Sequence, residues 1–197
     1  MKNKNRIICL LLYIVFAAAH LILSTSSTYP LIWDEAGYIG FASKIMTGNG
    51  YSFGYYGGYP LLISIAYLFS DNLQIVYRII QIINSLIGGL MPVVVFILIG
   101  RFRPSAGLWV KTSIAVLISV YPHYLTASDC AVPEGLFAVL FVIFIILGID
   151  ILREEKWNWK KCVAIAALYS YLCFVHPRAL ALIFVMIGFF VYKWSKM

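Results

Sequence analysis

IICLLLYIVFAAAHLIL, residues 7–23, carries no Asp, Glu, Lys or Arg, and WDEAGY, residues 33–38, follows it with the adjacent carboxylates Asp34 and Glu35. At 1.5 Å per residue the apolar run reaches across most of the roughly 30 Å of hydrocarbon in a bilayer. The basic residues Lys2, Lys4 and Arg6 precede it, and such a flank is retained on the cytoplasmic side. The run continues to about Ser24 without a small-residue cleavage site, so it reads as an uncleaved anchor. The chain then emerges on the outer face, bringing Asp34 and Glu35 with it.

Composition points the same way. The 197 residues are 62% hydrophobic and 12% charged, with mean hydropathy +0.91, whereas soluble domains carry roughly 25% charged residues. The expectation is an all-α polytopic membrane helix bundle of about six spans, a single transmembrane domain over residues 1–197. The net charge of +7 does not signal nucleic acid, because the basic residues fall in short clusters between apolar runs and mark topology instead. Cys9, Cys130, Cys162 and Cys173 have no C-x-x-C spacing, which argues against a zinc site or a disulfide framework.

The later spans are expected at about Ile79–Gly100, with a bend at Pro92, then Gly107–Leu125, Gly135–Leu152, Cys162–Val175 and Ala179–Tyr192. A single helix through the last two would be too long for one crossing, so two helices joined at His176-Pro177-Arg178 are preferred. Arg101, Arg103 and the cluster from Arg153 to Lys161 then fall inside. The outer face collects Asp34, Glu35, Asp71, Asp129 and Glu134, together with His123, His176 and Arg178.

The outer loop, about residues 26–74, holds seven of the 14 glycines between Gly37 and Gly58, interleaved with tyrosines. Tyr38, Phe41, Ala42 and Ile45 fall at helical spacing, so Asp34–Met46 is expected to be a short helix ended by Gly48. Tyr59–Ser70 is apolar but too short to cross, and is expected at the outer interface.

Asp34 at a helix start reads as an N-cap with Glu35 in the positive end of the dipole, yet a carboxylate oriented in that way also suits a general base or a metal ligand. Pro133 and Glu134 have the same double reading at the start of the fourth span. Arg178, set between apolar runs, is a functional candidate by default and suits phosphate through its fork of donors. His20, inside the first span, reads as a core histidine. His123 and His176 sit at loops, where imidazole serves as ligand or base. Carboxylates from two loops and an arginine from a third suit transfer from a membrane-bound phosphate donor.

The order of motifs resembles the N-terminal half of the GT-C glycosyltransferases, in the protein-mannosyltransferase and lipid A aminoarabinose-transferase branch. The matching features are Asp34-Glu35-Ala36 after the first span, Tyr59-Pro60-Leu61-Leu62, Arg78, Pro133-Glu134, and the Pro-Arg element at Pro177-Arg178. The resemblance implies a polyprenyl-phosphate-linked sugar donor and an acceptor on the extracytoplasmic face of a bacterial or archaeal membrane. It places Asp34 and Glu35 in the catalytic motif, and Asp129, Glu134 and His123 in support of the acceptor or a metal. Arg178 and His176 would lie at the donor phosphate, and Asp34 and Glu134 would hold a divalent metal, Mg or Mn. The family's usual order of Lys or Arg before Pro is reversed here. Family members usually continue through several more spans, so the chain reads as a fragment, a reduced member or a split subunit whose missing helices a second polypeptide supplies. The rival expectations are a non-catalytic lipid-phosphate-binding scaffold and, last, a transporter or flippase.

Overall fold

The computed structural model describes residues 3–26, 33–51 and 54–195, and all of their regular structure is helical. Four helical stretches are long and apolar enough to cross a bilayer: Asn3–Thr25, Leu73–Phe102, Glu134–Arg153 and Pro177–Ser195. Gly58–Leu68 and Leu108–Ser119 are shorter apolar helices.

Helix α1 (Asn3–Ser26) packs along α4 (Leu73–Gly88) and α5 (Leu90–Phe102). The expected bend is at Pro92; the helix is interrupted three residues before it, at Gly89 between α4 and α5. Pro92 has no N–H to donate to the Gly88 carbonyl, and its ring crowds that group. The Tyr124 hydroxyl donates to Gly88 O instead, at 3.3 Å. A side chain at Gly89 would strike Ala17, so the break also lets α1 approach closely.

The expected third span is divided into α6 (Leu108–Ser119) and α7 (Pro122–Asp129), separated at Val120 and Tyr121. Residues 126–129, expected in a loop, continue α7 as helix. Helix α8 (Glu134–Arg153) reaches all three apolar cores: Val139 packs with α1 and α5, Leu136 with Ile39, Tyr59 and Ile63, and Phe144 and Ile151 with α9 (Trp159–Val175). After His176 a short 3₁₀ turn, Pro177–Ala181, leads into α10 (Leu182–Ser195), which returns along α8. The two-helix reading of this last region therefore holds. Trp157 stacks on Phe190 at 5.6 Å, and a side chain at Gly148 would strike Phe189.

Between α1 and α4 lie α2 (Trp33–Thr47) and α3 (Gly58–Ile63), the latter followed by a 3₁₀ turn, Ser64–Leu68. Gly48, at φ +75°, ends α2, and its N–H reaches Lys44 O at 3.1 Å. This is the left-handed stop that glycine provides at lowest steric cost. Tyr59 and Ile63 are fully buried against Ile39, Val76 and Ile80. The expected apolar helix over 59–70 thus uses one face as core.

Polarity is inverted relative to a soluble fold. His20, Gln81, Asn84, Ser85 and Ser119 are buried, while Ile7, Leu10, Ile14, Val15, Phe184 and Val191 are exposed. Gln81 Nε2 donates to Ser24 O at 2.9 Å and Asn84 Nδ2 to Cys130 O at 2.7 Å. In hydrocarbon such amide groups must be satisfied within the protein, and apolar side chains face lipid without penalty. The chain is an integral membrane protein.

Charge gathers at the two ends of the bundle. One end carries Arg101 paired with Asp150 at 3.3 Å and Lys161 paired with Glu154 at 2.7 Å. The other holds Asp34, Glu35, Glu134, His176 and Arg178. At this second end Glu35 is 1% exposed; its Oε1 accepts from the Tyr77 hydroxyl at 2.9 Å and from the Ala131 N–H at 2.6 Å. One carboxyl thereby joins α2, α4 and the turn before α8. Glu35→Ala strands the buried Ala131 N–H and the half-buried Tyr77 hydroxyl, a buried donor left unmatched costing about 1–3 kcal/mol. It should lower stability to chemical denaturation in detergent by about 2–4 kcal/mol, with the exposed Asp34→Ala changing it by less than about 1 kcal/mol; equal losses at both positions would contradict this division.

Candidate functional site

Among the described residues helix α2 runs from Trp33, so Asp34 and Glu35 both lie in its first turn and Asp34 is inside the helix, not at its N-cap. The positive end of the helix dipole favours carboxylates there. Adjacent helix positions project in different directions, and the pair divides accordingly. Glu35 turns into the core, and Asp34 stays exposed with its Oδ1 accepting from the Tyr55 hydroxyl at 2.9 Å.

The glycine–tyrosine interleaving explains how Tyr55 reaches Asp34. Gly37 and Gly40, three apart, share a face of α2. A side chain at Gly37 would run into the Tyr55 ring, and one at Gly40 into Tyr51. Both tyrosines lie across this bare strip, with the Tyr51 hydroxyl donating to Ala36 O at 3.2 Å. The Tyr38 ring sits 4.6 Å from that of Tyr55 and 5.6 Å from that of Tyr59.

Tyr38 marks where the acidic groups converge. Burial first, then the charges of Glu134 and Asp34 and the neighbouring Tyr55, push its phenol up to about 12. It stays a hydroxyl donor between two carboxylates that come from α2 and α8. Tyr55 is raised as well, chiefly by its hydrogen bond to Asp34. Glu134 opens α8 directly after Pro133, and its Oε2 is buried with no hydrogen-bond partner among the described residues.

His176 closes the group from the α9 side. Its ring lies 5.5 Å from Phe137, and its Nδ1 accepts the Arg178 N–H at 3.2 Å. Burial and the Arg178 charge lower its pKa, against the opposing pull of Glu134. Arg178 is exposed, and no acidic partner is paired with it among the described residues.

The structure thus brings Asp34 and Glu134 to Tyr38, and Glu134 in turn toward His176 and the adjoining Arg178. Asp129 faces inward: its Oδ1 lies 3.4 Å from Nδ1 of His20, which is fully buried on α1. His20 is the core histidine that its position in the first span suggested, although its Nε2 has no partner among the described residues. His123 lies on an exposed surface of α7 with no described contact to the group. The Cys130 thiol, beside Glu35, Asp129 and Glu134, is pushed up to about 11, mostly by burial. Tyr38, Tyr55, Tyr77 and Asn84 are the functional neighbours that charge counting overlooks. The Gly-x-x-Gly step from Gly37 to Gly40 was the available signal for Tyr51 and Tyr55, which lie across α2.

For a divalent metal, the described residues include no cluster of three or more His, Cys, Asp or Glu groups. The orphaned Glu134 Oε2 and the exposed Asp34 carboxylate nevertheless match the one or two carboxylates with which Mg²⁺ is commonly held alongside substrate phosphates and water. Comparison with protein-family models, curated proteins and solved structures finds no match to this chain.

His176 should titrate below its ordinary 6.5 in NMR of histidine-labelled protein, falling further in Glu134→Gln and rising in Arg178→Gln. Since the folded value is depressed, the fold is favoured above the unfolded pKa, and that contribution is lost as pH falls from 6.5 toward the folded value. A midpoint above 6.5 that ignores both substitutions would contradict the arrangement.

Proposed function

We propose that this protein is a membrane glycosyltransferase of the GT-C kind, moving a sugar from a polyprenyl-phosphate carrier to a cell-envelope lipid, glycan or protein acceptor. The observation that carries the reading is the exposed Asp34, held by Tyr55, which shares Tyr38 with Glu134, while Glu134 acts on His176 next to Arg178, all at one polar end of an apolar helix bundle.

In this reading the four long helices are joined by α6–α7 and α9 to make six spans. The basic N-terminus lies in the cytoplasm, and the Asp34 end faces outward. The loop helices α2 and α3 rest at the outer interface.

Asp34 takes the proton from an acceptor hydroxyl as its oxygen forms a bond to the anomeric carbon. The carbon–oxygen bond to phosphate breaks on the opposite side, inverting the centre, and polyprenyl phosphate departs with the electron pair. Arg178 receives the phosphate charge through its planar fork, and Tyr38, kept protonated, offers a further donor. Glu134 and Asp34 are the groups that would hold a Mg²⁺ or Mn²⁺ ion, which supplies charge neutralisation at the donor phosphate when bound. Glu35 positions the helix that carries Asp34.

The test is release of polyprenyl phosphate from a panel of polyprenyl-phosphate hexoses and pentoses, with the chain in proteoliposomes made from envelope lipids. Asp34→Asn should lower turnover about a hundredfold or more, the span of a general base. Arg178→Gln should weaken donor binding. Turnover unchanged in Asp34→Asn would overturn the mechanism. Donor binding without transfer until a second polypeptide is added would assign the chain to a lipid-phosphate-binding subunit.

A further inference from the structure

At the end of the bundle opposite Asp34, α5 packs against both α1 and α6, and the space left between those two helices is not filled by protein. An apolar groove of about 490 Å³ runs along it, walled by Leu11, Val15 and Phe16 of α1 and by Trp109, Thr112 and Val116 of α6. A second cavity of about 310 Å³ is lined by Asn5 of α1, Arg101 of α5 and Lys111 of α6. The two lie along the same pair of helices, α1 and α6. Asn5 lies one turn before Ile8, which lines the groove, and Lys111 lies between the groove residues Leu108 and Thr112.

We infer that this space is a binding site for an anionic phospholipid, with the headgroup phosphate at Lys111 and Arg101 and an acyl chain along the α1–α6 groove. Charge complementarity selects that occupant. Lys111 Nζ lies 3.8 Å from the position of a side-chain carbon at Gly100, and it donates to Pro104 O at 3.4 Å. It keeps further N–H donors for a ligand. Arg101 engages Asp150 through Nε at 3.3 Å and remains 49% exposed, leaving its terminal amino groups open. Asp150 cancels one charge, so the pocket keeps a net positive charge from Lys111. Lys4, Arg6 and Arg103 flank it with no acidic partner among the described residues.

The depth is also that of a headgroup. Trp109, 85% exposed in the first turn of α6, walls the groove two positions before Lys111, and tryptophan rings favour the boundary between headgroups and hydrocarbon. Basic pockets between membrane helices are established seats for anionic headgroups. A transmembrane helix laid in the groove would leave Lys111 and Arg101 without an anion.

The site is separate from the Asp34 cluster and stands whether or not the chain transfers sugar. The full chain is purified from nanodiscs of mixed phosphatidylglycerol and phosphatidylcholine, and retained lipid is measured by native mass spectrometry. Phosphatidylglycerol should be retained preferentially. Lys111→Gln should reduce that preference about fivefold, the effect expected of one basic group near an anionic headgroup. Thr112→Trp, which fills the groove while leaving the charges intact, should reduce retention of both lipids. The combined Arg101→Gln and Asp150→Asn change removes the ion pair without stranding either partner, and should also lower the preference. Equal retention of both lipids by the unmodified chain would overturn the assignment. So would loss of the preference in millimolar inorganic phosphate with the bound lipid count unchanged, which would mark a free-phosphate site.

Discussion

The Glu35 carboxyl, accepting from the Tyr77 hydroxyl and the Ala131 N–H, is the contact on which the Asp34 end depends. Those donors belong to α4 and to the turn that launches α8. Beside that junction, α2 is held by Ile39 and Ala42 in the core, by the Tyr38 ring against Tyr59 and by the Tyr67 hydroxyl on Ile39 O. With the junction, α2 is fixed in rotation as well as position, because the buried carboxyl commits one side of its first turn to the core. Asp34, the next position, is thereby directed outward toward Tyr55.

A second polar layer supports the first from below. Tyr59 donates to Asn84 Oδ1 at 3.1 Å, Asn84 reaches Cys130 O, and Gln81 reaches Ser24 O. His20 and Asp129 link α1 to the end of α7. Lipid offers no hydrogen bonds to compete with these groups, so matching them within the protein is favoured, and the matching specifies how the helices align. The same constraint puts the break in the Leu73–Phe102 stretch at Gly89, where a tyrosine hydroxyl serves the carbonyl that Pro92 leaves without its usual donor.

Much of this was legible in the sequence because hydropathy and length carry the membrane argument directly. The apolar helix over Ile7–Leu23, the helix after Asp34 ended by Gly48, and the split at His176 follow from apolar runs and punctuation by glycine and proline. What was not legible depends on partners far apart in the chain. His20 and Asp129 are 109 positions apart, and Glu35 and Ala131 are 96. Nothing local distinguishes Asp34 from Glu35, and only the fold determines which of them faces inward. The break at Val120–Tyr121 and the extension of α7 to Asp129 likewise depend on packing against α1, α4 and α8. Among the candidate residues, Asp34, Glu134, His176 and Arg178 converge because three separate helix termini meet at one end of the bundle, whereas His123 stays apart on α7.

The central claim is that the two polar ends lie on opposite faces of the membrane, with the Asp34 end outside. Single cysteines at Asn49, in the turn after α2, and at Glu155, beside the Lys161–Glu154 pair, probe both ends in a background lacking the four native cysteines. A membrane-impermeant maleimide applied to intact cells should label position 49 at once and position 155 only after permeabilisation. Labelling of both positions from the same side, or of 155 alone in intact cells, would contradict the account.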